Sequence, residues 1–177
     1  MAGSRPAPVA GASPVDAPAG SLPDAGLWRR AMSATYESIV LFGVVVFFGY
    51  AYSALLQYRG EPGALRWGLQ AWLFVVLGVY FVWFWSEGRR TLPMRTVGVR
   101  LLSEDGGPPS RTRAAVRYTA AWAMLLAPIW AATGTGHPAW LLLWPLPFFW
   151  GLFDTRRRTL YDRVAGTRLV VDTRPVA

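Results

Sequence analysis

One carboxylate interrupts the first long apolar stretch of the chain. Between Ala31 and Leu56 the only charged residue is Glu37, which lies seven residues after Arg30. Seven residues are two helical turns, so in a helix Arg30 and Glu37 share a face and lie about 10 Å apart. A charge inside a bilayer costs at least about 2–3 kcal/mol, and such residues usually face the interior of a helix bundle on a substrate or ion path. The pattern therefore predicts a carboxylate that carries a proton or a cation.

A structural role is the alternative interpretation of the same carboxylate. Glu37 could extend towards the membrane surface, hold a proton, or form an ion pair that joins two helices. Arg30 is one candidate for that pair, and Arg117, at the start of a later apolar segment, is an equally good one. Arg29 and Asp154 are further candidate members of the charged cluster. The residues alone leave both roles open.

A second group of charges follows the last apolar stretch. It contains Asp154, then Arg156, Arg157 and Arg158, and then Asp162. We interpret the three arginines as topology anchors at anionic lipid headgroups, each worth roughly 1 kcal/mol. The two aspartates lie among cations and are expected to neutralise them, with Asp162 ordering the surface tail that follows the last helix.

The composition excludes several kinds of chemistry. The chain has no Cys, which excludes disulfides and thiolate metal sites, and its single His, His137, excludes a metal site with several His ligands. The sequence contains no evident nucleophile–base pair, so we expect neither an enzyme nor a bound cofactor. The formal net charge of +8 would suit a nucleic acid, but the apolar stretches favour a membrane, and no nucleic-acid partner is expected.

Uncharged stretches predict the elements that position these charges. A helix rises about 1.5 Å per residue, so about 20 apolar residues cross the roughly 30 Å hydrocarbon core. The stretch 118–153 is too long for one crossing and contains a turn signal at 134–138, with Pro145 and Pro147 beyond it. We therefore predict four transmembrane helices, at about 31–56, 67–86, 114–132 and 139–153.

The arginines predict the orientation of these helices. With four spans, 16 of the 18 arginines lie on one side of the membrane, which is also the side of both termini. Because positively charged loops stay in the cytoplasm, that side is expected to be cytoplasmic. A three-span arrangement would put the arginines of the C-terminal tail on the opposite side, which makes it the less favoured alternative.

The remaining segments complete the predicted fold class. Residues 1–26 are mostly Ala, Pro, Gly and Ser, which is typical of a disordered tail, and residues 173–177 form a short C-terminal tail. Residues 96–103 and 167–172 are rich in β-branched and aliphatic side chains, so we expect two short strands that pair at the cytoplasmic surface. The prediction is an all-α membrane protein with four transmembrane helices over residues 27–172, this small two-stranded β element and a disordered N-terminal tail.

Three blocks of the sequence resemble the RDD family of bacterial membrane proteins, which is named for one Arg and two Asp. The blocks are WRR at 28–30 with the acid at 37, GRRTLPM at 88–94 with VGVRL and EDGG after it, and FD at 153–154 with RTLYDRVAGT at 158–167. The namesake positions of the family correspond to Arg30, Glu37 and Asp162. The sequence departs from the family in having Glu at position 37, where the family has Asp, and Pro93, where the family usually has Gly.

The resemblance covers about residues 27–172 and implies a multi-pass inner-membrane protein. Function in the family is largely unassigned, with transport of small ligands or cation/proton exchange proposed for some members. We therefore hypothesise a transporter-like module in the lipid bilayer that uses Glu37, as a homo-oligomer or as part of a larger membrane complex. The alternative is a non-transporting accessory or assembly subunit whose arginine-rich face docks a partner.

Overall fold

The computed structural model describes residues 22–154 and 158–172. The predictions for residues 1–21, Arg156, Arg157 and residues 173–177 lie outside the described residues. The described chain is mostly helical and carries a small sheet. In chain order its elements are α1 (Leu27–Leu56), α2 (Ala64–Trp85), α3 (Leu92–Val97), β1 (Val99–Ser103), α4 (Arg111–Thr135), a 3-10 helix (Pro138–Leu143), α5 (Leu146–Phe153), α6 (Leu160–Val164) and β2 (Thr167–Val171).

The first two helices have the length and composition of membrane spans. Within the described residues, α1 and α2 are the two helices that are long and apolar enough to cross a bilayer. Helix α1 contains the predicted span 31–56, and α2 closely matches the predicted span 67–86. Large apolar side chains on α1 face outwards, since Phe42, Tyr50 and Leu55 are 71%, 75% and 82% exposed. An extended apolar surface of this kind suits a hydrocarbon environment.

The second half of the helical region differs from the prediction. The third predicted span, 114–132, lies within α4. The fourth, 139–153, is not one helix, because the 3-10 helix and α5 divide it. Pro145 and Pro147 explain the interruption, since proline has no N–H to donate and its ring clashes with the preceding helical turn. The described fold is therefore mostly helical with two candidate membrane spans.

Tyrosine hydroxyl groups tie the long helices together. Tyr52 on α1 donates to the carbonyl oxygen of Leu65 on α2 at 3.0 Å, and Tyr118 on α4 donates to that of Phe74 on α2 at 2.7 Å. Gly78 allows the second contact, because a Cβ at that position would lie 3.1 Å from the Tyr118 ring. Helix α2 therefore packs against both α1 and α4.

The predicted two-stranded sheet is confirmed. Strands β1 and β2 pair in antiparallel orientation, with Leu101 opposite Leu169. Since each strand alone would leave its backbone groups unpaired, the ladder satisfies both segments at once.

The segment before α1 is ordered against β2. The N–H of Val171 donates to the carbonyl oxygen of Pro23 at 2.9 Å, and the N–H of Ala25 donates to that of Leu169 at 2.8 Å. Ala25 is fully buried. The prediction of a disordered tail over residues 1–26 is therefore wrong for residues 22–26. The open edge of β2 provides backbone hydrogen-bond partners for this segment.

An internal repeat that sequence reasoning missed underlies the sheet. Residues 90–103 and 158–171 share Arg, Thr, Leu, Arg, Gly, Arg and Leu at seven of fourteen equivalent positions. In each copy the shared Thr precedes a short helix, and a strand follows. The shared Gly between helix and strand has a left-handed φ, 68° at Gly98 and 61° at Gly166, which glycine adopts without steric cost.

The two copies are related by a local two-fold axis. Leu101 and Leu169 occupy equivalent positions in the repeat and also lie opposite each other in the sheet. Each copy follows a long helix and a second helical segment: α1 and α2 in the first unit, α4 and the 3-10 helix with α5 in the second. The described chain thus consists of two tandem units with the same order of elements.

Substitution of the two repeat glycines tests this backbone geometry. A Cβ in the left-handed region costs about 1–2 kcal/mol, so we expect Gly98→Ala and Gly166→Ala both to lower the free energy of unfolding. Gly98→Ala should cost more, because its Cβ would also lie 3.3 Å from the carbonyl oxygen of Asp172, whereas that of Gly166 meets no atom within 4 Å. The measurement is the thermal unfolding midpoint in detergent, with Gly107→Ala as a neutral control. A larger loss for Gly166→Ala would contradict the expectation.

Candidate functional site

A buried carboxylate lies at the centre of the charged residues. Asp162 on α6 is fully buried. Its Oδ2 accepts a hydrogen bond from Nη1 of Arg30 on α1 at 2.8 Å, and its Oδ1 accepts one from Nε of Arg117 on α4 at 2.7 Å. The two arginine side chains are 10% and 7% exposed. A single carboxylate therefore joins α1, α4 and α6 at the sheet end of the molecule.

Further contacts fix both guanidinium groups. The Nε of Arg30 donates to the carbonyl oxygen of Ala25 at 3.1 Å. The Arg117 guanidinium carbon lies 4.0 Å from the centroid of the Trp85 ring and 5.3 Å from that of Tyr161. A cation over an aromatic face is attracted by about 1–2 kcal/mol where water is excluded. Both arginines are thus held in place by more than their shared carboxylate.

The repeat explains why an aspartate can point inwards from a short surface helix. Asp162 is equivalent to Met94 of the first copy, and both side chains are buried. The hydroxyl of Thr167 donates to the carbonyl oxygen of Asp162 at 3.3 Å, which ties α6 to β2. The second copy therefore has a charge where the first has an apolar side chain, and the arginines of α1 and α4 compensate for it.

The charge state of Asp162 follows from these neighbours. Burial raises the pKa of the Asp162 carboxyl, but the positive charges of Arg117 and Arg30 outweigh burial and hold the pKa below its usual value. Asp162 is therefore ionised at neutral pH, and it forms an ion triplet with the two arginines.

Glu37 is buried further along α1 and has other partners. Its Oε1 accepts a hydrogen bond from the hydroxyl of Tyr80 on α2 at 2.7 Å, and its Oε2 accepts one from the hydroxyl of Thr91 at 2.7 Å. The Thr91 oxygen in turn accepts from the N–H of Met94 at 3.3 Å, so its own proton is directed at Glu37. Two neutral donors therefore hold this carboxylate between α1, α2 and the start of α3.

A cavity connects Glu37 with the ion triplet. It has a volume of about 650 Å³ and lies among α1, α2, α4, α5 and the residues around α6. Arg30, Glu37 and Arg117 line it, and most of the other wall residues are apolar. Its volume falls within the roughly 300–1,000 Å³ that is common for small-molecule sites.

The structure brings together some of the predicted site residues and separates others. Arg30 and Asp162 are in direct contact, and Arg117 joins them. Glu37, for which Arg30 and Arg117 were the candidate ion-pair partners, is bonded to Tyr80 and Thr91 instead. The reason is that the fully buried Asp162 binds both guanidinium groups. Asp162 therefore does not belong to a surface tail, as the sequence had suggested.

The remaining predicted residues have local structural contacts. Arg29 donates through Nη1 to the carbonyl oxygen of Val97 at 3.0 Å. Arg158 donates through its backbone N–H and its Nε to Oδ2 of Asp154, at 3.0 and 3.1 Å, and also pairs with Glu104. The Arg158 side chain is 12% exposed, so it faces the protein rather than lipid headgroups.

Sequence reasoning missed the neutral partners of the site. Tyr80 and Trp85 looked like packing or interfacial aromatics, and nothing in their spacing distinguishes them from the many other aromatics of α2. Thr91 could have been found, because it is the threonine of the repeated Arg-Thr-Leu sequence that opens both short helices.

The fold and the site define a class of protein. Two helices with the character of membrane spans lead into a buried cluster of charges beside an apolar cavity, which indicates a membrane protein with a cavity between its helices. The chain belongs to the RDD family, whose family model matches residues 24–166. No curated protein and no solved structure matches the chain. Proline at position 93, where the family usually has glycine, fits the backbone because it lies in the first turn of α3, where no N–H is required.

Removing the central carboxylate tests its role in the fold. Asp162→Asn leaves Arg30 and Arg117 buried without a counter-charge, so we expect a loss of about 3–5 kcal/mol in the free energy of unfolding. Asp105→Asn is the matched control, because the Asp105 side chain is 74% exposed and its ion pair with Arg113 is superficial. The unfolding of both variants would be measured in detergent at pH 7; equal stabilities would contradict a central role for Asp162.

The stability difference between the wild type and Asp162→Asn should depend on pH. Because the folded pKa of Asp162 lies below its value in the unfolded chain, the stabilisation by Asp162 is complete above that unfolded value and is lost as the pH falls through the folded pKa. We therefore expect the stability difference between wild type and Asp162→Asn to be constant from pH 7 to about pH 5 and to shrink below about pH 4. A difference that grew on acidification would have the wrong sign.

Proposed function

We propose that this chain crosses the bacterial inner membrane four times, with both termini in the cytoplasm, and moves a small ligand across the bilayer together with a proton that Glu37 takes up and releases. The observation that carries the proposal is that Glu37 lines the same cavity as two buried guanidinium groups, yet is held by neutral hydroxyls. A proton at Glu37 therefore changes the net charge of a cavity large enough for a small molecule.

The tandem repeat supports the four-span topology. The first unit contains the two candidate spans, and the second unit has a long helix and a broken helical segment in the corresponding positions. Parallel repeats related by an axis along the membrane normal occur in transporters, and broken helices often line their binding sites. On this topology the sheet and the ion triplet lie at the cytoplasmic side.

The pairing of the arginines supports transport over an accessory role. Nine arginines of the described residues form ion pairs within the chain, so much of the arginine-rich surface is already neutralised. A surface used to dock an acidic partner would need those cations free. The cavity already has a volume of about 650 Å³ within one chain, which is enough for a small ligand.

Single cysteines test the topology, because the chain has no Cys of its own. We expect a membrane-impermeant maleimide to label Pro62→Cys and His137→Cys in intact cells, and to label Gly107→Cys and Val164→Cys only after the membrane is permeabilised. Val164 decides between the topologies, since its side chain is exposed and three spans would put it outside the cell. Labelling of Val164→Cys in intact cells would exclude the four-span arrangement.

Glu37 variants test the transport mechanism. We expect proteoliposomes of the wild type to show a change of internal pH when a gradient of sodium, potassium, phosphate or alkyl phosphate ions is imposed, and those of Glu37→Gln to show no more than empty vesicles, because Gln cannot take up a proton. Glu37→Asp, which retains the carboxylate, should retain coupled flux, and Glu61→Gln in the loop after α1 is the control. Equal flux for wild type and Glu37→Gln would refute the mechanism, as would wild-type vesicles that never exceed empty ones.

A further inference from the structure

Four buried polar side-chain atoms around the cavity have no hydrogen-bond partner among the described residues. Three of them can only donate, namely Nη2 of Arg30, Nη1 of Arg117 and Nε1 of Trp85, and the fourth is the hydroxyl oxygen of Thr159. The side chains of the three donors line the cavity, and all are nine-tenths or more buried. A buried donor without an acceptor lowers the stability of the fold, and a charged donor lowers it more. Three such donors at one cavity point to a ligand that accepts hydrogen bonds there.

The charge balance indicates that this ligand is an anion. Arg30 and Arg117 carry two positive charges, and Asp162, bound to one N–H of each, supplies one negative charge. The ion triplet therefore keeps a net charge of +1, and both arginine side chains line the cavity. Guanidinium groups match the geometry of carboxylate and phosphate oxygens and bind them strongly.

The rest of the cavity is suited to hydrocarbon. Leu41 on α1, Leu77 on α2, Leu125 on α4 and Leu152 on α5 line it, and most other wall residues are also apolar. Leu41 lies eleven residues beyond Arg30 along α1, so the apolar wall continues about 16 Å from the arginine along the helix. That length is about half the thickness of the hydrocarbon core. The cavity thus has a cationic end beside the sheet and an apolar end inside the helices.

We infer that the cavity binds an amphiphilic anion, with a phosphate or carboxylate group on Arg30, Arg117 and Trp85 and a hydrocarbon chain along the apolar wall. The inference rests on the proposed function in one respect, since it names the class of ligand that would be moved. Because Glu37 lines the same cavity, its negative charge opposes the anion and a proton on it favours the anion, so ligand and proton would bind together. The ionisable groups that line the cavity or contact these residues are Arg30, Glu37, Tyr80, Arg117, Tyr118, Tyr161 and Asp162.

Native mass spectrometry of the full chain, released from a neutral detergent, tests the inference with three probes. Dodecyl phosphate has both the anion and the chain, inorganic phosphate has the anion alone, and dodecanol has the chain alone. We expect a single dodecyl phosphate adduct, with apparent affinity at least about tenfold above either partial probe, because each charge-assisted hydrogen bond is worth a factor of that order. If dodecanol bound with the same affinity as dodecyl phosphate, the site would not recognise the headgroup and the inference would fail. If inorganic phosphate bound with the same affinity as dodecyl phosphate, the site would not need the hydrocarbon chain and the inference would fail.

Three variants locate the site. Arg117→Lys keeps the charge but loses the forked donor, so it should lower the affinity for dodecyl phosphate about tenfold. Trp85→Phe removes one neutral N–H and should lower that affinity about threefold. Ala121→Phe fills the cavity from α4, one helical turn after Arg117, and should abolish the adduct. Ala123→Phe on the exposed face of the same helix is its matched control and should bind as the wild type does.

The outcomes separate this inference from the proposed function. If Trp85→Phe and Ala121→Phe both bind dodecyl phosphate as the wild type does, the ligand is held elsewhere and the inference fails, even if Arg117→Lys does not fold. If the adduct depends on these residues while Glu37→Gln and wild type give equal proton flux, the binding site stands and proton-coupled transport fails.

Discussion

The fully buried carboxylate of Asp162 determines how the helices meet. Arg30 and Arg117 come from different helices, and each donates to a different oxygen of this carboxylate. Moving these three charges out of water costs several kcal/mol per ion, and their mutual attraction compensates only when all are in place. The triplet therefore adds little net stability but strongly favours one arrangement of α1, α4 and α6. Because each arginine uses only some of its N–H groups on Asp162, the same arrangement leaves buried donors without a partner on two residues that line the cavity.

The two buried carboxylates differ in their surroundings, and this difference separates their roles. Asp162 lies between two cations and stays ionised at neutral pH. Glu37 contacts hydroxyl groups of Tyr80 and Thr91, which can donate to a carboxylate or accept from a carboxylic acid. Its hydrogen-bond partners therefore tolerate both protonation states, whereas those of Asp162 do not. An ion triplet and a carboxylate that is held by hydroxyl groups thus lie beside a single cavity.

Much of the fold could be predicted from the sequence, because the signals are local. The two long helices were defined by stretches 31–56, where Glu37 is the only charged residue, and 67–86, which has none. The β-branched segments at 96–103 and 167–172 defined the sheet. The proline-broken segment 139–153 was harder, since an uncharged stretch with prolines is compatible with a kinked span or with two short helices.

The contacts of the site could be predicted less well, because they depend on tertiary packing. Arg30, Arg117 and Asp162 could be recognised as candidates from their types and from family resemblance. That Arg117 binds Asp162 rather than Glu37 depends on how α6 folds back onto α4. The repeat of 90–103 and 158–171 carried that information: it sets Asp162 at the position of the buried Met94, which marks the aspartate as an inward residue.

The wide separation of the paired charges along the chain has a consequence for biosynthesis. Arg30 and Asp162 are 132 residues apart, so at typical elongation rates the aspartate leaves the ribosome on the order of ten seconds after the arginine. Tyr80 and Thr91 follow Glu37 by only 43 and 54 residues. Glu37 can thus obtain both of its hydrogen-bond donors early during translation, whereas Arg30 is made 132 residues before its carboxylate partner. Strand β2, which is made after the helices described above, also binds the backbone that precedes the first helix, so the fold closes on its own N-terminal side.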